Sequence, residues 1–449
     1  MKILHITASY KPAYIYGGPI ASVSKLCESI RLLSFDSAQD DITEGAKLEL
    51  QVLTTTANGK AELGVKVGKP LLVDGVVVTY FKRWTKDHSH FSPGLLWGLR
   101  KEIIKSKKTK AESKKQKAES GMRNPSTTSQ TVRINSSDGS QKPPRLTGTA
   151  PKGVNELVIH IHAWWNLVSV LSCLVAKWYR VPVVLSPRGM LTSYTQGNRN
   201  SFSKKILHRI IGKSLLKYVH VHATSEQEKL EVLKLVQPKS ISVIPNLVSI
   251  PNAQSTKLKA KRTDHVSTFK LLFLSRIEEK KGVDLLLEAL STVNFDNHLT
   301  IAGTGDENYI KSLKLKAESL KLGERIKWIG QVSNDEKFSM MADHDLLVLP
   351  SYNENFANVV IESLSVGTPV LVSKNVGLAD YVKANELGWV CSLEPKDIAE
   401  KINLAYNQKL KRETIKRNAP ILIKNDFDDY ILVRSYIELY ERVLRLRSE

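Results

Sequence analysis

Short apolar runs bounded by turn-forming residues recur along the whole chain, and between them the apolar positions shift to a spacing of three and four. In the first half the runs fall at residues 2–9, 48–56, 76–81, 156–163, 181–186, 219–226 and 241–246. In the second half they fall at 270–277, 298–305, 325–332, 345–350, 368–373 and 389–393. Runs that stay apolar instead of alternating belong to strands buried on both faces, and the helically spaced stretches between them supply the covers. The chain is therefore expected to be α/β, with two Rossmann-like domains, each a helix-covered parallel sheet, facing each other across a cleft. Ligands of such sheets collect beyond the carboxyl ends of the strands, so the loops after strands are where chemistry is sought.

Three stretches break the pattern. Residues 35–45 are acidic and small, and read as an inserted surface loop. Residues 105–152 are low in complexity, with KAES at 110 and again at 117 before a Ser/Thr/Asn/Pro-rich tract. Such a stretch buries too little apolar surface to offset its ordering entropy, so it is expected to be disordered. Residues 251–267, polar and basic, read as the linker between domains at 1–250 and 268–427.

The formal charge of +21 invites a nucleic-acid partner, but residues 100–152 alone hold 14 Lys/Arg against 4 Asp/Glu and supply +10 of it. Much of the excess thus sits in the segment without core residues, and no nucleic-acid partner is expected. Cys27, Cys173 and Cys391 show no paired spacing, which fits a reducing compartment. The first apolar run is too short for a signal peptide, and no run reaches the length of a membrane span. A cytoplasmic protein is expected. Residues 203–218 carry Lys205, Arg209, Lys213 and Lys217 at every fourth position opposite Ile206, Ile210 and Leu216. That is either a solvated helix face or a patch for the inner, anionic surface of a membrane.

The densest chemistry lies at residues 351–372. Glu354 and Glu362 stand on a loop and one turn inside a following helix, with Asn358 expected to cap a helix over 359–366. Free backbone N–H groups at such a helix start suit a phosphate, while carboxylates accept hydrogen bonds from hydroxyls. A ligand with phosphate at its centre and hydroxyl-bearing groups at both ends, such as a nucleotide-sugar, fits that order. Residues 354–362, ENFANVVIE, followed by SLSVGTPV, resemble the E-x7-E signature of retaining glycosyltransferases of the GT-B fold, family 4.

The resemblance implies roles for further residues. Arg276 and Lys281, on a loop after a strand, match the family's donor-phosphate pair. Such cations neutralise charge growing on a leaving diphosphate. Glu362 would bind the ribose hydroxyls, and Glu354 with Asn355, Phe356 and Ala357 the donor sugar, while Asn358 and Val359 open the helix start. Gly17 and Gly18 would face the donor phosphates from the first domain. Gly305, in a second glycine loop, would lie near the donor, and Val332 near the nucleotide base. The family's terminal helix, here 428–449, crosses back to the first domain. Many members carry a histidine where this chain has Pro187, Arg188 and Gly189, so Arg188 or His162 is the candidate for that space.

His160 and His162 share one strand face, as do His220 and His222, but no third ligand at metal spacing accompanies either pair. No cofactor and no metal are expected. The expected activity is retaining transfer of a hexosyl group from a UDP- or GDP-sugar to a glycan or lipid-linked acceptor in cell-surface polysaccharide synthesis. The alternatives are a nucleotide-sugar epimerase or hydrolase on the same scaffold, or a basic nucleic-acid or membrane-binding protein.

Overall fold

The computed structural model describes residues 1–36, 48–86, 89–121, 156–192, 212–251 and 268–446. The expected loop at 35–45 lies outside them from 37 onward, as do 122–155, most of the 251–267 linker and the 203–211 half of the basic helix.

The first sheet contains β1 (Lys2–Ile6), β2 (Glu49–Thr55), β5 (Pro70–Val73), β6 (Val76–Phe81), β7 (Leu157–His162), β8 (Val183–Ser186), β9 (His220–Ala223) and β10 (Ser240–Val243). A hairpin of β3 (Ala57–Asn58) and β4 (Ala61–Glu62) stands beside it. The order is β10-β9-β8-β7-β1-β2-β6-β5, parallel throughout except for the edge strand β5, which pairs antiparallel with β6. Successive side chains alternate between two covers. Leu4, Ile6 and Ile159 pack under the helices Pro93–Gly121, Leu167–Trp178 and Lys213–Tyr218. Ile3 and Val158 pack under the helices Gly18–Asp36 and Asp429–Arg445.

The second sheet, β11 (Phe269–Leu274), β12 (Asn297–Ala302), β13 (Ile326–Gly330), β14 (Leu346–Leu349), β15 (Val370–Ser373) and β16 (Gly388–Cys391), is wholly parallel in the order β13-β12-β11-β14-β15-β16. Strand order reverses between β11 and β14 here, and between β1 and β7 in the first sheet. Loops leaving neighbouring strands at such a switch point part to opposite faces and open a crevice.

The terminal helix Asp429–Arg445 begins where the Asp428 side chain accepts from the Ile431 N–H. It buries Leu432, Val433, Tyr436, Leu439, Tyr440 and Val443 on one stripe. That stripe lies on the first domain, where Arg442 donates to Ser242 and Asp429 pairs with Lys25.

The expected disorder does not begin at residue 105. Residues 105–121 continue the helix Pro93–Gly121. Lys, Ala, Glu and Gln are strong helix formers, and Leu95, Leu99 and Ile103 fix the first turns on the sheet, so the polar continuation propagates without needing a core of its own.

Candidate active site

Two loops at the switch of the second sheet build one wall of a cleft. The loop after β14 is pinned from both sides. Tyr352 N–H donates to the Lys280 carbonyl (2.8 Å), Glu354 N–H to the Asn375 carbonyl (3.1 Å), and Gly377 N–H to the Glu354 carbonyl (2.8 Å). Gly377 tolerates no side chain, since a Cβ there would lie 1.9 Å from the Asn355 carbonyl oxygen. The loop ends at Ala357 with φ +68°, a left-handed conformation costing an alanine roughly 1–2 kcal/mol. That bend starts the helix Asn358–Ser365, held down by Val360, Ile361 and Leu364. Each such burial contributes roughly 1.5–3 kcal/mol.

Asn358 does not cap this helix as expected; it is the first helical residue. The left-handed turn at Ala357 replaces the cap, and the Asn358 amide is spent across the cleft. It donates to Ser22 Oγ (2.8 Å) and accepts from Asn246 Nδ2 (3.2 Å), both in the first domain.

The loop after β11 carries Arg276 and Lys281. It rests on the glycine loop after β12, where a Cβ on Gly303 would lie 1.8 Å from the Ser275 carbonyl oxygen and one on Gly305 1.9 Å from that of Ile277. Gly305 therefore supports the Arg276 loop and does not line the cleft. Gly282 presses against the Pro350 carbonyl in the same way, which brings Lys281 under the β14 loop. There Lys281, only 6% exposed, is ion-paired with Glu354. Arg276 pairs with Glu278, and Lys337 with Glu362 at 2.7 Å. Burial would raise the Glu278 carboxyl, but Lys280 and Arg276 outweigh it and hold it below its ordinary range.

The resulting cleft has a volume of about 490 Å³. Arg276, Lys281, Glu354, Glu362, Val332 and the stretch 355–359 line it from the second domain, and Gly17, Gly18 and Arg188 from the first. The two acids, the two cations and the helix start thus share one crevice. Gly17, at φ +67°, faces Arg276, whose Cδ and Nε would lie 3.7 Å from a Cβ there. Ser22, Asn246 and Lys337 also line the cleft and were not singled out by the sequence. They carry no motif, and only their contacts with Asn358 and Glu362 reveal them. A second hollow of about 370 Å³ shares Glu354 and Asn355 with the cleft.

The first-domain wall is of another kind. Arg188 follows β8 at φ +53°, donating from Nη1 to Asn246 Oδ1 (3.0 Å), with Nη2 3.4 Å from His162 Nδ1. His162 does not line the cleft but lies buried behind Arg188, 2.9 Å from His5 Nδ1. His160 bonds Tyr440 Oη (2.8 Å) and Ser186 Oγ (2.6 Å), and Ser186 Oγ bonds His222 Nδ1 (2.7 Å). Burial, reinforced by the Arg188 charge, lowers His5 and His222 to about 3. His160 and His162 are likewise held well below the ordinary range by burial and by their neighbours. All four are neutral near pH 7.

The third imidazole absent from the strand spacing is His5, which brings His5, His160 and His162 to ligating separation, within 4.8 Å. The chemistry around them opposes a dication. Both His160 nitrogens are hydrogen-bonded, and the Arg188 guanidinium stands against the group.

Comparison with known proteins agrees with the fold. The family described as "Glycosyl transferases group 1" matches residues 254–421, and "Glycosyl transferase 4-like domain" matches 142–247. A phosphatidyl-myo-inositol mannosyltransferase of Mycobacterium leprae is 27% identical over 51% of this chain and 59% of its own length. A glycosyltransferase of Methanocaldococcus jannaschii is 27% identical over 58% of this chain and 69% of its own. Among solved structures, Anabaena HepE in complex with UDP and glucose superposes with a TM-score of 0.65 at 17% identity, covering 98% of this chain and 100% of that one. Sucrose-phosphate synthase from Thermosynechococcus elongatus gives 0.65 at 16% identity, covering 99% of each. At such identities the structures speak for the fold alone. With both domain families matched and the GT-B architecture shared end to end, the chain belongs to the group 1, family 4 glycosyltransferases of GT-B fold.

Proposed function

We propose that the protein is a retaining, metal-independent glycosyltransferase that moves a hexosyl group from a UDP- or GDP-sugar to a glycan or lipid-linked acceptor in cell-surface polysaccharide synthesis. The observation that carries this reading is the meeting of Arg276, Lys281, Glu354, Glu362 and the start of the helix Asn358–Ser365 in one cleft. The diphosphate would lie between the two cations and the helix start, where positive field counters the charge released as the bond from anomeric carbon to phosphate oxygen breaks. Glu362 would hold the ribose hydroxyls and Glu354 the sugar hydroxyls, each exchanging its present lysine partner for ligand donors. The leaving phosphate oxygen would take the acceptor proton on the face from which it departs, so no protein nucleophile is required.

A membrane-bound acceptor is favoured by a separate surface. On the helices covering the outer face of the first sheet, Trp97 and Trp178 are 65% and 82% exposed. Arg100 lies over the Trp97 ring, Lys101, Lys105 and Lys108 are exposed further along the same helix, and Arg180, Lys213 and Lys217 are exposed on the neighbouring segments. Exposed tryptophan among cations suits the headgroup level of an anionic bilayer. By its name, a Campylobacter jejuni relative acts on a diphospho-undecaprenol-linked sugar, 27% identical over 39% of this chain. No helix among the described residues is long and apolar enough to cross a membrane; the tryptophan-and-cation surface would hold the protein at the inner membrane face.

The test is binding of UDP-, GDP- and ADP-sugars to the intact protein and to Glu362→Ala. Loss of hydrogen bonds to a charged group costs about 1.5–3 kcal/mol, so the variant is expected to bind about tenfold or more weakly. Absence of binding by every sugar nucleotide, or equal binding by the variant, would sink the assignment.

A further inference from the structure

Four cations line the cleft among the described residues: Arg188, Arg276, Lys281 and Lys337. Three are ion-paired with carboxylates, namely Arg276 with Glu278, Lys281 with Glu354 and Lys337 with Glu362. Arg188 is paired with none among the described residues. A guanidinium has five N–H donors, and the groups facing these are Asn246 Oδ1 and His162 Nδ1, both neutral. Its Nε is buried with no acceptor among the described residues.

The surroundings offset the charge only in part. The imidazoles behind Arg188 are neutral, for the reasons given above. Glu228 acts on it through space, but its oxygens accept from the Gly189 N–H (2.7 Å) and from the Thr224 N–H and hydroxyl (2.8 and 3.1 Å). Tyr436 and Tyr440 are protonated phenols, held so by burial. A largely buried cation with no carboxylate at hydrogen-bonding distance among the described residues is expensive, and an anionic ligand group would offset the cost.

The donor does not need this cation. A charge on each phosphate of a sugar nucleotide is matched by Arg276 and Lys281 on the opposite wall. Arg188 is surplus to that count, and it belongs to the first domain, facing the acceptor side. Resting on the glycosyltransferase reading, we propose that Arg188 binds an oxyanion carried by the acceptor, a phosphate or a carboxylate, and so selects acidic acceptors over neutral ones. The Asn246–Asn358 bridge would hold the guanidinium next to the donor's phosphate site, which places the acceptor's acidic group beside its reacting hydroxyl.

The experiment is calorimetric titration of the intact protein, saturated with UDP or GDP, with glucose 1-phosphate, glucuronate and glucose. One of the two acids is expected to bind about tenfold or more tightly than glucose, as charge-assisted pairing with arginine predicts, and which one does so separates phosphate from carboxylate. Arg188→Gln should bring that acid to the level of glucose and leave nucleotide affinity within about twofold, since the donor's own cations remain. Asn246→Asp, which sets a carboxylate on an intact guanidinium, should also bring that acid to the level of glucose, and guards against misfolding of the first variant. Acids binding no better than glucose would overturn the proposal. So would a parallel loss of UDP affinity in Arg188→Gln, which would assign the residue to the leaving diphosphate. If no nucleotide binds, the proposed function fails on its own, and inorganic phosphate titrated against intact protein and both variants still decides the role of Arg188.

Discussion

The two walls of the cleft solve the problem of holding charge in opposite ways. On the second-domain wall every lining cation has a carboxylate beside it, so charges are neutralised locally and can exchange partners when a ligand arrives. On the first-domain wall one guanidinium stands over four imidazoles kept neutral by burial, and the charge is fixed in place by neutral acceptors. The first arrangement suits a substrate whose charge changes during reaction, and the second a group whose charge is constant and has only to be recognised.

The largest effect that would test this difference is on stability in acid. His5 and His222 titrate near 3 in the folded protein, against about 6.5 in the unfolded chain. Below pH 6.5 the unfolded chain therefore binds more protons, and stability falls as pH falls, down to the folded value near 3. At pH 4.5 the two residues together are expected to cost about 5 kcal/mol relative to pH 7.5. Urea denaturation at both pH values measures it, with His222→Gln as the control. The variant should reduce the pH slope by about 1.4 kcal/mol per pH unit, and an unchanged slope would mean that the imidazoles are not held neutral.

Next in size is Lys281→Met, which leaves Glu354 without its cation and removes charge from the leaving group. Transfer activity, as kcat/KM, is expected to fall about 10²–10³-fold. If the loss instead matched that of a surface lysine, the ion-paired wall would have no part in catalysis. Smaller is Tyr440→Phe, which deprives buried His160 of a partner and should destabilise by about 1–3 kcal/mol in thermal unfolding. Since it acts behind the fixed wall, activity should fall less than for Lys281→Met. The smallest effect is on vesicles. Trp178→Ala should weaken binding to anionic phosphatidylglycerol vesicles a few-fold, by about 1 kcal/mol, and leave transfer to a water-soluble acceptor unchanged.

The second-domain wall was the more legible in sequence because its elements are contiguous. Glu354, the helix start and Glu362 sit within one loop and helix, and Arg276 and Lys281 within another loop. Six of the apolar runs of that half correspond to its six strands. The first-domain wall is assembled from single residues on β1, β7, β8 and β9 and from the far terminal helix, joined by strand register and not by spacing. No pattern in a linear chain marks His5 as the neighbour of His162, or Tyr440 as that of His160. Asn358 misled for a related reason. An asparagine at a helix start satisfies the local rule for a cap, and only the first domain's Ser22 and Asn246 show that its amide is used elsewhere. For Gly305 the loop pattern shows in the sequence, but the carbonyl it lets approach from Ile277 does not.

The terminal helix sets how the halves can move. The last strand of the first domain is β10 and the first of the second is β11, and after the helix Lys409–Asp426 the chain returns to anchor Tyr436 and Tyr440 among the histidines. Two chain crossings tie the halves more tightly than one would, so any relative displacement of the halves has to be taken up at the seat of the terminal helix. A mutation that loosened Tyr436 and Tyr440 would slacken that seat, and the effect would be felt at Arg276 through geometry alone.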